Sequence, residues 1–162
     1  MKPTIIFIIL TAFFGSQAMA AGSSSVAPSD DKDVKYYNKG VTLMLDKKFA
    51  KAEKQFRKAI KQNESFAEAH NNLAYTLRKQ GSAKFDEALT HYNRAIQLKA
   101  TLPEPFMYRG VLHVQMGNRD LALQDHQTLL ALNPDLAGEL EYVIKAGREK
   151  EPEQFFGVSQ KK

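Results

Sequence analysis

A period of about 34 residues runs through the middle of this chain and constrains its fold more than any other feature. The segments 33–66, 67–102 and 103–136 align as units of 34, 36 and 34 residues. Each unit holds two helical patterns separated by a polar turn, and the phases agree from one unit to the next. Gly40, Ala74 and Gly110 share one small position in the first helix, and Ala52, Ala88 and Ala122 share another in the second. Phe56, Tyr92 and His126 follow those alanines by four residues, and Ala59, Ala95 and Leu129 come three residues later on the same face. Small residues let two helices approach closely, and the aromatic fills the wedge beside them. One such hairpin cannot bury its apolar face alone. Stacked neighbours make a continuous core, and roughly three units are the minimum for stability.

The units resemble tetratricopeptide repeats. The opening aromatic of that pattern falls at Tyr36, His70 and Phe106, while Pro134 keeps the terminal proline that Glu64 and Ala100 replace in the other units. Two extra residues in "GSAKFDEA" lengthen the turn of the second unit. The resemblance implies an all-α fold, an α-solenoid of three tetratricopeptide helical hairpins. The last hairpin would expose an apolar face. Leu136, Leu140, Val143, Ile144 and Gly147 lie at helical spacing to cover it, so a C-terminal capping helix is expected over 137–150, with Pro152 ending it. Residues 151–162 form a tail containing Phe155 and Phe156.

Residues 1–20 read as a signal peptide: Lys2, an apolar run from Ile5 to Phe14, then Ala18-Met19-Ala20 as an A-x-A cleavage site. That run is too short to span a membrane comfortably, which takes about 20 residues. No integral span is therefore expected after cleavage. Residues 21–32, rich in Gly, Ser, Pro and Asp, read as a flexible linker. The chain contains no cysteine, which excludes a bacterial lipid anchor at the cleavage point and leaves stability to packing alone. The expected location is outside the cytoplasm. A bacterial periplasm fits best, and a eukaryotic secretory route stays open.

In the resembled family the first helix of each unit lines a concave groove. Of its concave positions, the second, fifth, sixth, ninth, twelfth and thirteenth, those that carry over are Tyr37, Asn38 and Val41 in the first unit, and Asn71, Asn72, Tyr75 and Arg78 in the second. In the third unit they are Met107, Tyr108 and Val111. Asn38 and Asn72, one repeat apart, would form a two-rung asparagine ladder able to read a peptide backbone, since an amide both donates and accepts. Tyr108 breaks the ladder in the third unit. Tyrosines supply contact area at low entropic cost, and Arg78 would favour an acidic side chain. The resemblance thus implies a non-catalytic adaptor that binds an extended peptide or a partner helix in an open, wet groove. The alternative is a structural or assembly role, with self-association through the repeat ends or through Phe155 and Phe156. A clamp for a peptide's terminal carboxylates is not expected: the matching positions are Tyr37, Val41, Asn72, Glu104 and Tyr108, and Asn72 alone keeps the required residue type.

Other features point to no chemistry. Lys47, Lys51, Lys54, Lys58 and Lys61 make one stripe on the second helix of the first unit, which could meet acidic lipid headgroups or an acidic partner but more often is simply solvated. With a formal charge of +5 and no recognition motif, nucleic acid is not an expected partner. The four histidines show no metal-ligand spacing; they read as packing residues, with His113 and His126 expected near each other. No nucleophile motif, phosphate loop or paired carboxylates in a supporting pocket mark an enzyme, and no cofactor is expected.

Overall fold

The computed structural model describes residues 31–149. The signal, the linker up to residue 30 and the Phe155–Phe156 tail lie outside the described residues. Those described form seven α-helices: α1 (Lys32–Leu45), α2 (Phe49–Gln62), α3 (Ala67–Arg78), α4 (Phe85–Leu98), α5 (Glu104–Gln115), α6 (Arg119–Leu132) and α7 (Pro134–Ala146). The pairs α1–α2, α3–α4 and α5–α6 are the three hairpins, and each packs on the next through α2–α3 and α4–α5.

The periodic positions make the core. Ala52, Ala88 and Ala122 are fully buried, as are Phe56 and Tyr92 beside the first two. A Cβ added at Gly40 would stand 2.6 Å from a ring carbon of Phe56, so glycine is what lets α1 close on α2. At Gly110 the same space is taken by Leu140 of α7, whose Cδ2 would lie 2.5 Å from an added Cβ. The third unit has His126 where the others have Phe56 and Tyr92, and His126 is only half-buried. Leu140 therefore supplies the bulk over Gly110, and the cap is keyed into the last hairpin rather than resting on it.

The turns inside the hairpins repeat as well. The fifteenth residue of each unit is left-handed, with φ of 59° at Lys47, 117° at Gly81 and 80° at Gly117. Around the first and third, the next N–H reaches back to close the helix end: Lys48 N donates to the Leu43 carbonyl and Asn118 N to the His113 carbonyl, both at 2.8 Å. In the second unit the two extra residues are absorbed by a 3-10 turn, Ser82–Lys84, directly after Gly81.

The capping helix begins earlier and ends earlier than the expected 137–150. Pro134 occupies its first turn, where no N–H is needed, and the Asn133 side chain accepts from Leu136 N at 3.1 Å. It stops at Gly147, left-handed at φ 69°, and not at Pro152. The terminal proline of the third repeat is thus also the start of the cap. Leu136, Ala137, Leu140, Val143 and Ile144 form its buried face, against α5 and α6.

Candidate functional site

The ten concave positions lie on α1, α3 and α5, the first helices of the three hairpins, which stand side by side. Their aromatic residues are locked to one another and to the outer helices. The Tyr37 ring packs 4.8 Å from Phe66 and 5.9 Å from Phe56, in the seam between α1, α2 and the start of α3. Tyr75 and Tyr108 meet edge-to-face at 5.1 Å across α3 and α5. Phe49 of α2 closes on Tyr75 from the other side, at 6.4 Å.

The two adjacent asparagines form a polar chain across the repeats. Asn72 donates from Nδ2 to the Tyr37 hydroxyl at 3.0 Å, and Asn71 donates from Nδ2 to Asn72 Oδ1 at 3.1 Å. Burial and the Glu68 charge push the Tyr37 hydroxyl up to about 12, while the hydrogen bond from Asn72 pulls the other way. Asn72 therefore joins α3 to α1. The buried Oδ1 of Asn71 accepts no hydrogen bond among the described residues. Asn38 is half-buried beside them; its carbonyl accepts from Thr42 Oγ1 at 3.1 Å.

Arg78, at the C-terminal end of α3, is the charged centre of the face. Its side chain is fully buried, and it donates through both terminal nitrogens to the Glu149 carboxylate, at 2.9 Å and 2.8 Å. Lys79 Nζ stands 3.5 Å from the same carboxylate, and the Arg78 guanidinium lies 5.3 Å from the Tyr75 ring centre. Burial works against both charges. Arg78 is nevertheless held more basic than usual by Tyr92, Glu149 and Tyr75, and Glu149 more acidic than usual by Arg78 and Lys79.

The concave positions are buried and present no open, wet surface among the described residues. Apart from Asn38, none of the ten positions exceeds 7% exposure, and every residue of α3 from Ala67 to Arg78 is buried except the half-buried Glu68. Val41 and Val111 are sealed into the helix seams and offer no surface.

Elsewhere the expectations divide. The lysines of the α2 stripe are exposed, and Lys58 lies over the Tyr36 ring at 5.5 Å. Arg57 beside them is bound to Glu53 and, across the hairpins, to Glu87 at 2.6 Å. The expected His113–His126 approach is not among the contacts of the described residues. His113 faces Asp125 and Arg109, whereas His126 lies beside Glu141 of α7. The histidines that do meet are His70 and His91, with their Nδ1 atoms 2.9 Å apart. Among the described residues no cluster of three or more His, Cys, Asp or Glu could hold a metal ion. No described helix is long and apolar enough to cross a membrane. Reading the sequence alone missed the Glu149–Arg78 pair, whose partners are 71 residues apart, and the exposed Leu121, Leu123 and Leu130 on α6. The two leucines seven residues apart, Leu123 and Leu130, share a helical face, which was the available signal.

Tetratricopeptide repeat models match residues 36–66 and 56–90, and a TPR repeat model matches 84–117. Together they run without a break from residue 36 to residue 117, through the first two hairpins and α5 of the third. The chain belongs to the tetratricopeptide repeat family. Among curated proteins it is similar to the anaphase-promoting complex subunit cut9 of Schizosaccharomyces pombe, 28% identical over 116 residues. That match takes in 70% of this chain but only 17% of cut9. Among solved structures it resembles the second TPR domain of human RPAP3 in complex with an HSP70 peptide, with a TM-score of 0.64 and 24% identity, covering 71% of this chain and 96% of that one. It also resembles the Yersinia enterocolitica type III secretion chaperone SycD in complex with a peptide of the translocator YopD. There the TM-score is 0.66 and the identity 14%, covering 74% of this chain and 94% of that one. These structural likenesses establish a tetratricopeptide fold.

Proposed function

We propose that this tetratricopeptide protein is a non-catalytic interaction module that captures an extended peptide or a partner helix on its concave face. The observation that carries the reading is the state of Arg78. A buried guanidinium at one end of a tyrosine-lined face already grips a carboxylate with both terminal nitrogens. Such forked pairing is geometrically selective for carboxylates. Tyr75 and Tyr108 adjoin it and supply the rigid aromatic surface that anchors peptide side chains. The preferred ligand is thus a segment with an acidic residue followed by aromatic ones. Repeat proteins of this fold holding peptides, RPAP3 and SycD among them, support the reading. The recognition differs from a terminal-carboxylate clamp, because Tyr37, Val41, Glu104 and Tyr108 stand where its basic and amide residues would be. The leader pattern in residues 1–20 supports an exported, periplasmic setting.

Selection from a displayed peptide library tests this. Acidic-aromatic sequences should be enriched, and Tyr108→Ala and Arg78→Lys should each weaken their binding at least fivefold with helix content unchanged. Enriched peptides that bind both variants as well as the parent chain would move the binding surface elsewhere, with the α2 lysines and the α6 leucines the next to test.

A further inference from the structure

The concave face of α3 is deeply buried along its whole length. α3 packs against α1, α2, α4, α5 and the 3-10 turn. Among the described elements, α7 makes no contact with α3 or α1. Yet Asn71, Asn72 and Tyr75, midway along α3, are at most 5% exposed. Among the described residues, the chain that leaves α7 reaches the Arg78 end of this face. The left-handed residue Gly147 breaks the helix and turns the backbone, and two residues later Glu149 is bonded to Arg78.

We infer that the C-terminal segment, residues 150–162, occupies this chain's own concave face, rooted by Glu149 on Arg78, and that an outside ligand binds there only by displacing it. The inference rests on the reading of that face as a peptide-binding groove. Three further observations agree with it. The first is reach. Residues 151–162, twelve in number, extend up to about 40 Å, against about 18 Å for the length of α3. The tail can therefore run from Arg78 past Tyr75 and Asn71 to α1. The second is chemistry. The segment reads "EPEQFFGVSQKK": acidic residues, then two phenylalanines, which is the order the groove selects. The third is the sequence of charges. Glu149 stands at the end of the groove with Arg78 and Lys79, and Glu151 and Glu153 follow it in the sequence. Lys161 and Lys162 come last, and Glu68, which also pairs with Lys99 at 3.1 Å, and Glu104 stand in the first turns of α3 and α5, at the other end. A tail running antiparallel to α3 matches sign to sign.

The arrangement makes the protein its own competitor. A tethered segment acts at an effective concentration in the millimolar range for a short linker, so an outside ligand of ordinary affinity is excluded until the tail is drawn away or outcompeted.

The test compares the full chain, a chain ending at Lys150, and the full-length Phe155→Ser/Phe156→Ser variant, each checked by circular dichroism and sedimentation. The probe is a labelled synthetic peptide of residues 151–162. It should bind the shortened chain and the double-serine variant at least tenfold more tightly than the full chain, and Tyr108→Ala should abolish that difference. The variant carries the test by itself if the shortened chain does not fold. Equal binding to all three chains, or none to either altered chain, overturns the inference. So does a dimer that dissociates on shortening, which would place the tail in a second copy, or a groove freed by removing residues 1–30 instead. A library-selected peptide separates the two claims. If it binds full and shortened chains equally but is lost in Tyr108→Ala, the groove stands and the tail's role falls. If Tyr108→Ala leaves its binding to the shortened chain untouched, the groove itself is wrong.

Discussion

The amide of Asn72 donates to the hydroxyl of Tyr37 across 35 residues of sequence, at 3.0 Å, and joins the second repeat to the first through two buried side chains. Asn71 adds its own amide to the Asn72 oxygen but leaves its own oxygen unbonded. The neighbours should therefore differ sharply. Asn72→Ala removes the donor to Tyr37 and strips Asn71 of its acceptor, and is expected to cost about 1–3 kcal/mol. Asn71→Ala takes the donor from Asn72 Oδ1 but also deletes an oxygen already buried without a partner, and these offset, so it should stay within about 1 kcal/mol of the parent. Urea denaturation of both variants decides it. Equal losses would mean that the chain of amides contributes nothing and that both serve by shape alone.

Lys47 occupies the left-handed turn position that Gly81 and Gly117 hold in the other repeats. A side chain in that region costs roughly 1–2 kcal/mol, and glycine gives back part of the gain through its freer unfolded chain. Lys47→Gly should thus raise stability by about 0.5–1 kcal/mol, while Gly117→Ala, at φ 80°, should lower it by about 1 kcal/mol. A Lys47→Gly chain that melts below the parent would show that the lysine side chain holds the turn by contacts outweighing its strain.

Much of the architecture was legible because each repeat states the same packing rule in a small residue, an alanine and an aromatic. The three-hairpin stack needs nothing else. Register along α1, α3 and α5 then followed, so the ten positions fall on three helices that lie side by side. What stands over them was not legible, since Glu149 finds Arg78 only after the cap has turned its chain at Gly147. The cap itself was misplaced at both ends. Pro134 was assigned to closing a repeat when it opens a helix, and Pro152 overshadowed the nearer stop at Gly147. Pairings such as His70 with His91 joined repeat positions four and twenty-five of one unit, which come together only when α3 and α4 lie face to face.

Arg109 of α5 binds Asp125 of α6 through two nitrogens, Nε to Oδ2 at 3.1 Å, and donates to Asn93 Oδ1 of α4 at 2.7 Å. Asp125 is only 1% exposed. Burial raises its carboxyl pKa even though Arg109 opposes the shift. Arg109→Met strands that carboxylate and should cost about 3–5 kcal/mol, whereas Arg109→Met/Asp125→Leu should recover most of it. The single variant should also gain stability relative to the parent as the pH falls and Asp125 protonates. A double variant no more stable than the single would show that the arginine's link to Asn93 matters more than its pairing with Asp125.

The His70–His91 contact sets the stability at mildly acidic pH. His70 Nε2 lies 3.2 Å from the Glu64 carbonyl, which can only accept, so that nitrogen carries the proton and His70 Nδ1 is bare. His91 Nδ1–H then donates to it at 2.9 Å, and the pair is satisfied with both rings neutral. Burial lowers the His91 pKa from the ordinary 6.5 to about 4, helped by His70 and by Arg57, with Glu87 opposing. Burial also lowers His70, assisted by Arg94 against the Glu64 carbonyl and carboxylate. Depressed basic groups stabilise the fold above the unfolded value, and that contribution drains away as the pH drops from about 6.5 toward 4. For a half-buried ring, with solvent screening counted, the loss is about 1–2 kcal/mol. His91→Gln keeps a polar side chain like Gln55, the equivalent residue of the first repeat, and removes the titration. Thermal melts of parent and variant across pH 4 to 7 should therefore converge toward the acid end, with the parent's curve the steeper. Parallel curves would mean that both histidines charge freely in the folded protein and that their contact places no restriction on pH.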